Sequence, residues 1–168
     1  MSKDDILASD RAELEAQVAA HPFLIGMSEH QIHLLADCAM RSHFEAGHVA
    51  FREGERANRF YLIERGKVAL ESSTLGEPVR IEDIGDGDLL GWSWLFPPYA
   101  WHFTARAVAD TTAIFFYGTV LREYSEKDHS LGFELFKRMS AVMLRRLQAA
   151  RQKLLSVHQL GKPLALSR

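Results

Sequence analysis

The sequence predicts a mainly β domain with flanking helices, a sandwich or barrel of jelly-roll type. Three observations predict it. Between Arg41 and Tyr117, segments of four to eight residues rich in Val, Ile, Phe and Tyr alternate with glycine-containing turns. The chain before Arg41 is rich in Ala, Glu and Leu, which favour helix. After Thr119, apolar residues recur at helical spacing.

The elements follow in order. Arg11 to Ala20 reads as helix, and Pro22 stops it. Ser28 with Gln31 three residues later is a capping box, opening a short amphipathic helix that carries Ile32, Leu34, Leu35 and Cys38. The candidate strands are Arg41–Glu45, His48–Phe51, Arg59–Glu64, Lys67–Ser73, Val79–Ile84, His102–Val108 and Thr112–Tyr117. Gly47, Gly54, Gly66, Gly76-Glu77-Pro78, Gly85 and Gly87 punctuate them, because tight turns need backbone conformations that glycine adopts without strain. A different piece, Leu89 to Trp101, could hold one helical turn and contains a double proline. Val120–Ser125 is a short helical piece. A long helix then begins near Asp128, with Asp128 or Ser130 as its N-cap.

In that long helix, Phe136, Met139, Met143, Leu147, Ala150, Leu154 and Val157 are spaced by 3, 4, 4, 3, 4 and 3 residues, one continuous apolar face. A face this long reads either as a helix lying across the barrel or as a dimer seam between two copies. The seam is the expectation, with Phe136, Met139, Met143, Leu147, Ala150 and Leu154 as its residues. The expected organisation is an N-terminal helical extension (1–22), the barrel (23–127), the long dimerisation helix (128–158) and a tail (159–168).

At 168 residues the chain has the length of one ordinary domain, and 47% hydrophobic with 25% charged residues describes a folded protein. No apolar run approaches the length of a membrane span, and the acidic start Met1-Ser2-Lys3-Asp4-Asp5 is no signal peptide. The expectation is a cytoplasmic protein without membrane contact. One cysteine, Cys38, permits no internal disulfide and no cysteine-ligated cluster. The net charge of −2 conceals an asymmetry: residues 135–168 hold eight basic groups and no acidic one, leaving 12 basic and 22 acidic groups in residues 1–134.

The stretch Gly47-His48-Val49-Ala50-Phe51-Arg52-Glu53-Gly54-Glu55, then Tyr61-Leu62-Ile63 and Gly66-Lys67-Val68, resembles the opening barrel of cyclic-nucleotide-binding domains of the catabolite-activator and anaerobic-regulator type. Gly87-Asp88-Leu89-Leu90-Gly91 and Ala105-Arg106-Ala107-Val108-Ala109 extend the resemblance, which covers about residues 23–157. It implies an eight-stranded double-stranded β-helix (jelly roll) with N-terminal helices and a long C-terminal helix that usually mediates dimerisation. It also implies a bacterial regulatory protein.

The family's phosphate-binding cassette needs a short helix N-terminus, a Glu for the ribose hydroxyl and an Arg for the cyclic phosphate. A buried phosphate monoanion requires amide donors and a compensating cation. Gly91 stands where the cassette glycine belongs, but Trp92 takes the place of the Glu. The Arg slot falls on Phe103, or on His102 if the segment is one residue longer. Thr104 matches the small hydroxyl residue beside the phosphate. In place of the ionic handles stand Trp92, Trp94, Phe96, Tyr99, Trp101, His102 and Phe103. These rings either plug the pocket or line one for a flat, less charged ligand. Arg106 or His102 could instead replace the missing cation. The candidate pocket residues are therefore Gly91, Trp92, Ser93, Trp94, Trp101, His102, Phe103, Thr104 and Arg106.

A metal-dependent jelly roll would need an HxH pair, which is absent, so no metal and no definite cofactor are expected. Haem through a histidine stays open. No GxSxG, P-loop or HExxH pattern supports catalysis. The family's transcription factors carry a DNA-reading domain after the long helix, and the ten or so residues after Val157 cannot build one. DNA binding is therefore not expected. The expected function is a stand-alone sensory or regulatory protein, homodimeric, not a standard cyclic AMP binder. It would answer to a small-molecule effector, a cyclic nucleotide or another aromatic ligand, and signal through its C-terminal helix to a protein partner. The alternatives are a ligand-independent interaction module with an aromatic-filled pocket and a transcription regulator lacking its own helix-turn-helix.

Overall fold

A computed structural model of the chain describes residues 3–73 and 76–160. Two four-stranded antiparallel sheets form the barrel. The strands are β1 (Met40–Phe44), β2 (Val49–Phe51), β3 (Arg59–Arg65), β4 (Val68–Ser72), β5 (Val79–Ile84), β6 (Leu89–Leu90), β7 (Thr104–Ala107) and β8 (Thr111–Tyr117). One sheet has the order β1-β8-β3-β6 and the other β2-β7-β4-β5. Helices α1 (Lys3–Ala20) and α2 (Glu29–Asp37) precede them, and α3 (Gly118–Lys127) and α4 (His129–Leu160) follow. The seven strands read from the sequence are all present within a few residues of the expected bounds. The added strand is the two-residue β6, too short to show a period of two.

β3 and β8 explain the core. Tyr61 pairs with Phe115 and Ile63 with Ala113, and these side chains line the barrel together with Phe44, Phe51, Val68, Leu70, Ile84 and Leu90. The alternate residues Phe60, Leu62, Ile114 and Phe116 are equally buried on the outer face. There Phe60 meets Phe23 at 5.6 Å, Phe116 at 5.9 Å and Trp94 at 6.1 Å between ring centroids. Both faces of this sheet are covered, which is why β3 and β8 read as nearly continuous apolar runs instead of alternating ones.

The capping box is present as the sequence predicts: the Gln31 N–H donates to Ser28 Oγ at 3.2 Å, and Gln31 Oε1 accepts from the Ser28 N–H at 3.0 Å. The choice of cap for α4 falls on Asp128, whose Oδ1 accepts from the Leu131 N–H at 3.0 Å. Backbone bonding to Leu131 lowers the Asp128 pKa, with a further contribution from His30. α1 buries Val18 and makes exposed polar contacts, among them Arg11 with Asp37 and Arg41 with Asp10 at 2.6 Å. Such exposed pairs contribute about 0–1 kcal/mol each.

The chain divides into two compact units, residues 1–132 and residues 133–168. In the second, the single apolar face expected of the long helix becomes two rows. Leu135, Met139 and Val142 are buried, whereas Phe136, Leu147, Ala150 and Leu154 are exposed and Met143 is intermediate. At 3.6 residues per turn these sets lie about 100° apart around the helix. Among the six residues expected for a seam, Met139 alone is buried within the chain. Of the tail, residues 161–168 lie outside the described residues. Among the described residues no helix is long and apolar enough to cross a membrane.

His21, in the α1–α2 connection, ties the helices to the sheet. Its Nε2–H donates to the Ile63 carbonyl at 3.0 Å, and its Nδ1 accepts from the Phe23 N–H at 3.2 Å, an arrangement only the neutral ring satisfies. Burial lowers its pKa below 6.5, outweighing the raising effects of the Ile63 bond and Asp88. A His held neutral contributes stability above its unfolded pKa, which is lost as pH falls through the interval below 6.5. Denaturant titrations from pH 7.5 to 5.5 are expected to show stability falling below pH 6.5, and His21→Gln to flatten that slope. An unchanged slope in the variant would contradict this account.

Candidate functional site

The cassette runs from Gly91 to Phe103, between β6 and β7. It contains a single 3-10 turn, Ser93–Leu95, whose N-cap residue Trp92 makes no side-chain capping bond. At the first end, Gly91 has φ +86, and a Cβ built there would lie 2.7 Å from the Trp101 ring. Only glycine satisfies both conditions.

Trp101 occupies the barrel interior. It is 5% exposed and stacks on Phe51, with ring centroids 3.7 Å apart and planes 13° apart. Phe51 in turn faces Tyr61 at 6.3 Å. The backbone fixes this placement: the Trp101 N–H donates to the Glu55 carbonyl, and its carbonyl accepts from the Gly54 N–H, both at 2.8 Å. The Tyr99 carbonyl accepts from the Ala57 N–H at 2.7 Å, and Arg56 bridges Ala100. The β2–β3 turn thus grips the cassette as a short extra ladder. Phe103 packs half-buried against the same core cluster.

Trp94 goes elsewhere. It is 2% exposed and lies on the outer side of the sheet against Phe60 and Gly118, whose built Cβ would stand 2.7 Å from the Trp94 Cβ. Its indole Nε1 is buried without a hydrogen-bond partner. Arg122 of α3 closes this side: Nη1 donates to the Trp94 carbonyl, and the guanidinium lies 4.9 Å from the centre of the Tyr99 ring. Tyr99 itself has φ +57. The cassette is therefore bound to the barrel by Trp101 and to α3 by Trp94, Tyr99 and Arg122.

The proposed substitute cations do not face the barrel. Ala105 and Ala107 of β7 point inward, so strand alternation turns Arg106 outward. There its Nε donates to both Glu71 carboxylate oxygens at 3.2 Å, across β4. His102 is exposed, and its Nδ1 lies 3.0 Å from Oγ of the buried Ser93. Thr104 also turns away from the barrel: its Oγ1 accepts from the Glu53 N–H at 3.0 Å, in an open groove shared with Arg52 and Ser73. Of the nine expected pocket residues, Gly91, Trp101 and Phe103 meet at the barrel interior. Trp92 is half-buried ahead of the 3-10 turn, and Ser93, Trp94, His102, Thr104 and Arg106 face other surroundings.

Four residues missed in the sequence complete the arrangement: Phe51, Tyr61, Arg59 and Arg122. Phe51 and Tyr61 lie in strands buried without a period of two, so the sequence does not single out their inward face. Arg122 leaves no trace, because its partners are a carbonyl and a ring far along the chain. Among the described residues, no three His, Cys, Asp or Glu side chains are grouped to hold a metal ion. Cys38 is held inert by burial, which raises its pKa to about 11.

The sequence profile of the cyclic nucleotide-binding domain matches residues 41–128, more than half of the chain. The chain belongs to the cyclic nucleotide-binding domain family. A cGMP-dependent protein kinase, egl-4 from Caenorhabditis elegans, is 31% identical over 67 residues, 39% of this chain and 9% of the length of that protein. Among solved structures, a Geobacter metallireducens protein described as cyclic nucleotide-binding superposes with a TM-score of 0.71 at 27% identity, covering 79% of this chain and 97% of that one. The regulatory subunit of a cAMP-independent protein kinase A from Trypanosoma cruzi, bound to guanosine, shares the fold with a TM-score of 0.62 at 23% identity, covering 69% of this chain and 42% of that one.

Gly91→Ala is expected to cost about 2–4 kcal/mol, from the left-handed backbone and the overpacked ring. That corresponds to a Tm drop of roughly 4–16 °C for a chain of this length. Trp101→Ala should cost about 3–5 kcal/mol through the cavity it leaves, and Trp101→Phe, which keeps the stack, clearly less. Thermal melts of the three variants check this; an unaltered Tm in Trp101→Ala would show that the ring is not part of the core.

Proposed function

We propose that the chain is a regulatory domain whose barrel is filled by its own Trp101, and that it does not respond to cyclic AMP. The observation that supports this most directly is the Trp101–Phe51 stack against Gly91. A cyclic phosphate buried there would need a cation and a ribose acceptor. In their place the interior presents rings, Ala105 and Ala107. The Trypanosoma cruzi regulatory subunit bound to guanosine, a nucleoside without phosphate, supports the reading that this fold works without the cyclic phosphate.

The output in this reading passes through the helices. Arg122 and Gly118 connect the cassette to α3. On α4, Phe133, Phe136, Leu144, Leu147 and Leu154 are between 53% and 72% exposed. An exposed apolar row of this extent suits a second copy of the chain or a protein partner. Arg145, Arg151 and other basic residues beside it favour an acidic partner surface. The chain thus acts in the cytoplasm as a non-enzymatic regulatory module.

Calorimetry and thermal shift with cyclic AMP and cyclic GMP test the reading. Neither nucleotide is expected to bind or to raise the Tm at concentrations up to about 1 mM, a free energy near −4 kcal/mol. Micromolar binding of either would overturn it.

A further inference from the structure

β3 opens on a cation. Strand alternation puts Arg59 on the same face as Tyr61 and Ile63, which line the barrel. Its ladder partner on β8 is Tyr117. On the opposite side runs the cassette: the Arg59 carbonyl oxygen lies 3.5 Å from the Cβ position built at Gly91. Arg59 therefore stands at the barrel end beside the cassette, next to the space that Trp101 fills.

The surroundings of its guanidinium are aromatic. The guanidinium carbon lies 5.1 Å from the centre of the Phe115 ring and 5.7 Å from that of Tyr117. Nη1 is 3.5 Å from the Tyr61 hydroxyl, at the limit of a hydrogen bond. Nε is buried and has no partner. Among the described residues no carboxylate forms an ion pair with Arg59, whereas Arg11, Arg41, Arg80, Arg106 and Arg138 each have one. The Tyr61 hydroxyl bond, against the effect of burial, raises its pKa further, so the group stays charged.

A partly buried cation without a counter-ion is costly, and ring faces offset only part of that cost. The guanidinium is a planar fork that a carboxylate matches with two parallel bonds. The Phe115 and Tyr117 rings, both on β8, supply apolar surface beside that fork.

We propose that Arg59 anchors a binding site at the barrel end beside the filled cassette, and that this site takes a small aromatic monocarboxylate. The ring lies against Phe115 and Tyr117, and the carboxylate pairs with the guanidinium. The proposal goes beyond the self-filled barrel and does not depend on it. Occupancy would act on the cassette directly, because Gly91 backs onto the Arg59 main chain.

The test uses the full chain with 2-naphthoate and its neutral counterpart 2-naphthamide, followed by calorimetry. The carboxylate is expected to bind at least tenfold more tightly than the amide. R59M, which keeps an apolar stem and removes the charge, should bring the two to equal affinity, and R59K should retain part of the difference. A second measurement needs no organic ligand: iodide should quench tryptophan fluorescence at least twofold more in the native chain than in R59M, with acrylamide quenching the same in both. Equal affinities for the two probes, no binding of naphthoate at millimolar concentration, or iodide quenching unchanged by R59M would each overturn the proposal. If R59M does not fold, the comparison of the two probes on the native chain decides alone. None of these failures touches the filled barrel, which cyclic nucleotide binding or an unaltered Tm in Trp101→Ala overturns.

Discussion

The stack of Trp101 on Phe51 is the contact on which the rest of the site depends. It requires glycine at position 91, since any side chain there would meet the indole. It fixes the path of the cassette, because the main chain of Trp101 is bonded on both sides to the β2–β3 turn. It also decides what the barrel can hold. Interiors are close-packed, and in the proposed reading the ring stacked on Phe51 fills the space a sugar phosphate would need. The family architecture is retained, and in the proposed reading Trp101 stands where a ligand would otherwise lie.

The cassette is held at both ends by different means. Towards the barrel the hold is stacking and a short backbone ladder. Towards α3 it is Trp94 on Gly118 and the Arg122 clasp on Trp94 and Tyr99. Any movement of the cassette must therefore either carry the start of α3 with it or break a guanidinium–carbonyl bond and a cation–π contact. That is a mechanical connection between the barrel and the helix leading into α4, independent of which molecule, if any, drives it.

Much of this was legible in the sequence where the signal is local. The Ser28–Gln31 box and the seven strands rest on short-range chemistry and appear as expected, and of the two caps the sequence offers for α4 the structure uses Asp128. The cassette was not legible in the same way. Counting strand positions back from Ala105 assumes extended chain. Between β6 and β7 the chain instead makes a 3-10 turn and passes through Tyr99 at positive φ, so the count slides. That count puts the Arg slot on Phe103 or His102, and it does not show that the ring set against Gly91 is Trp101. The face that Arg106 shows stays open in the sequence for a related reason: it depends on a register that β4 and β2 set. On α4, a spacing of three and four residues admits Met139 into either of two adjacent rows, and burial separates them.

The central claim is that the barrel interior belongs to Trp101. A crystal structure of the chain grown with cyclic AMP at about 10 mM, well above a millimolar dissociation constant, tests it most directly. The account predicts the indole of Trp101 stacked on Phe51 and no nucleotide in the barrel. A nucleotide seated beside Gly91 with Trp101 displaced would contradict it.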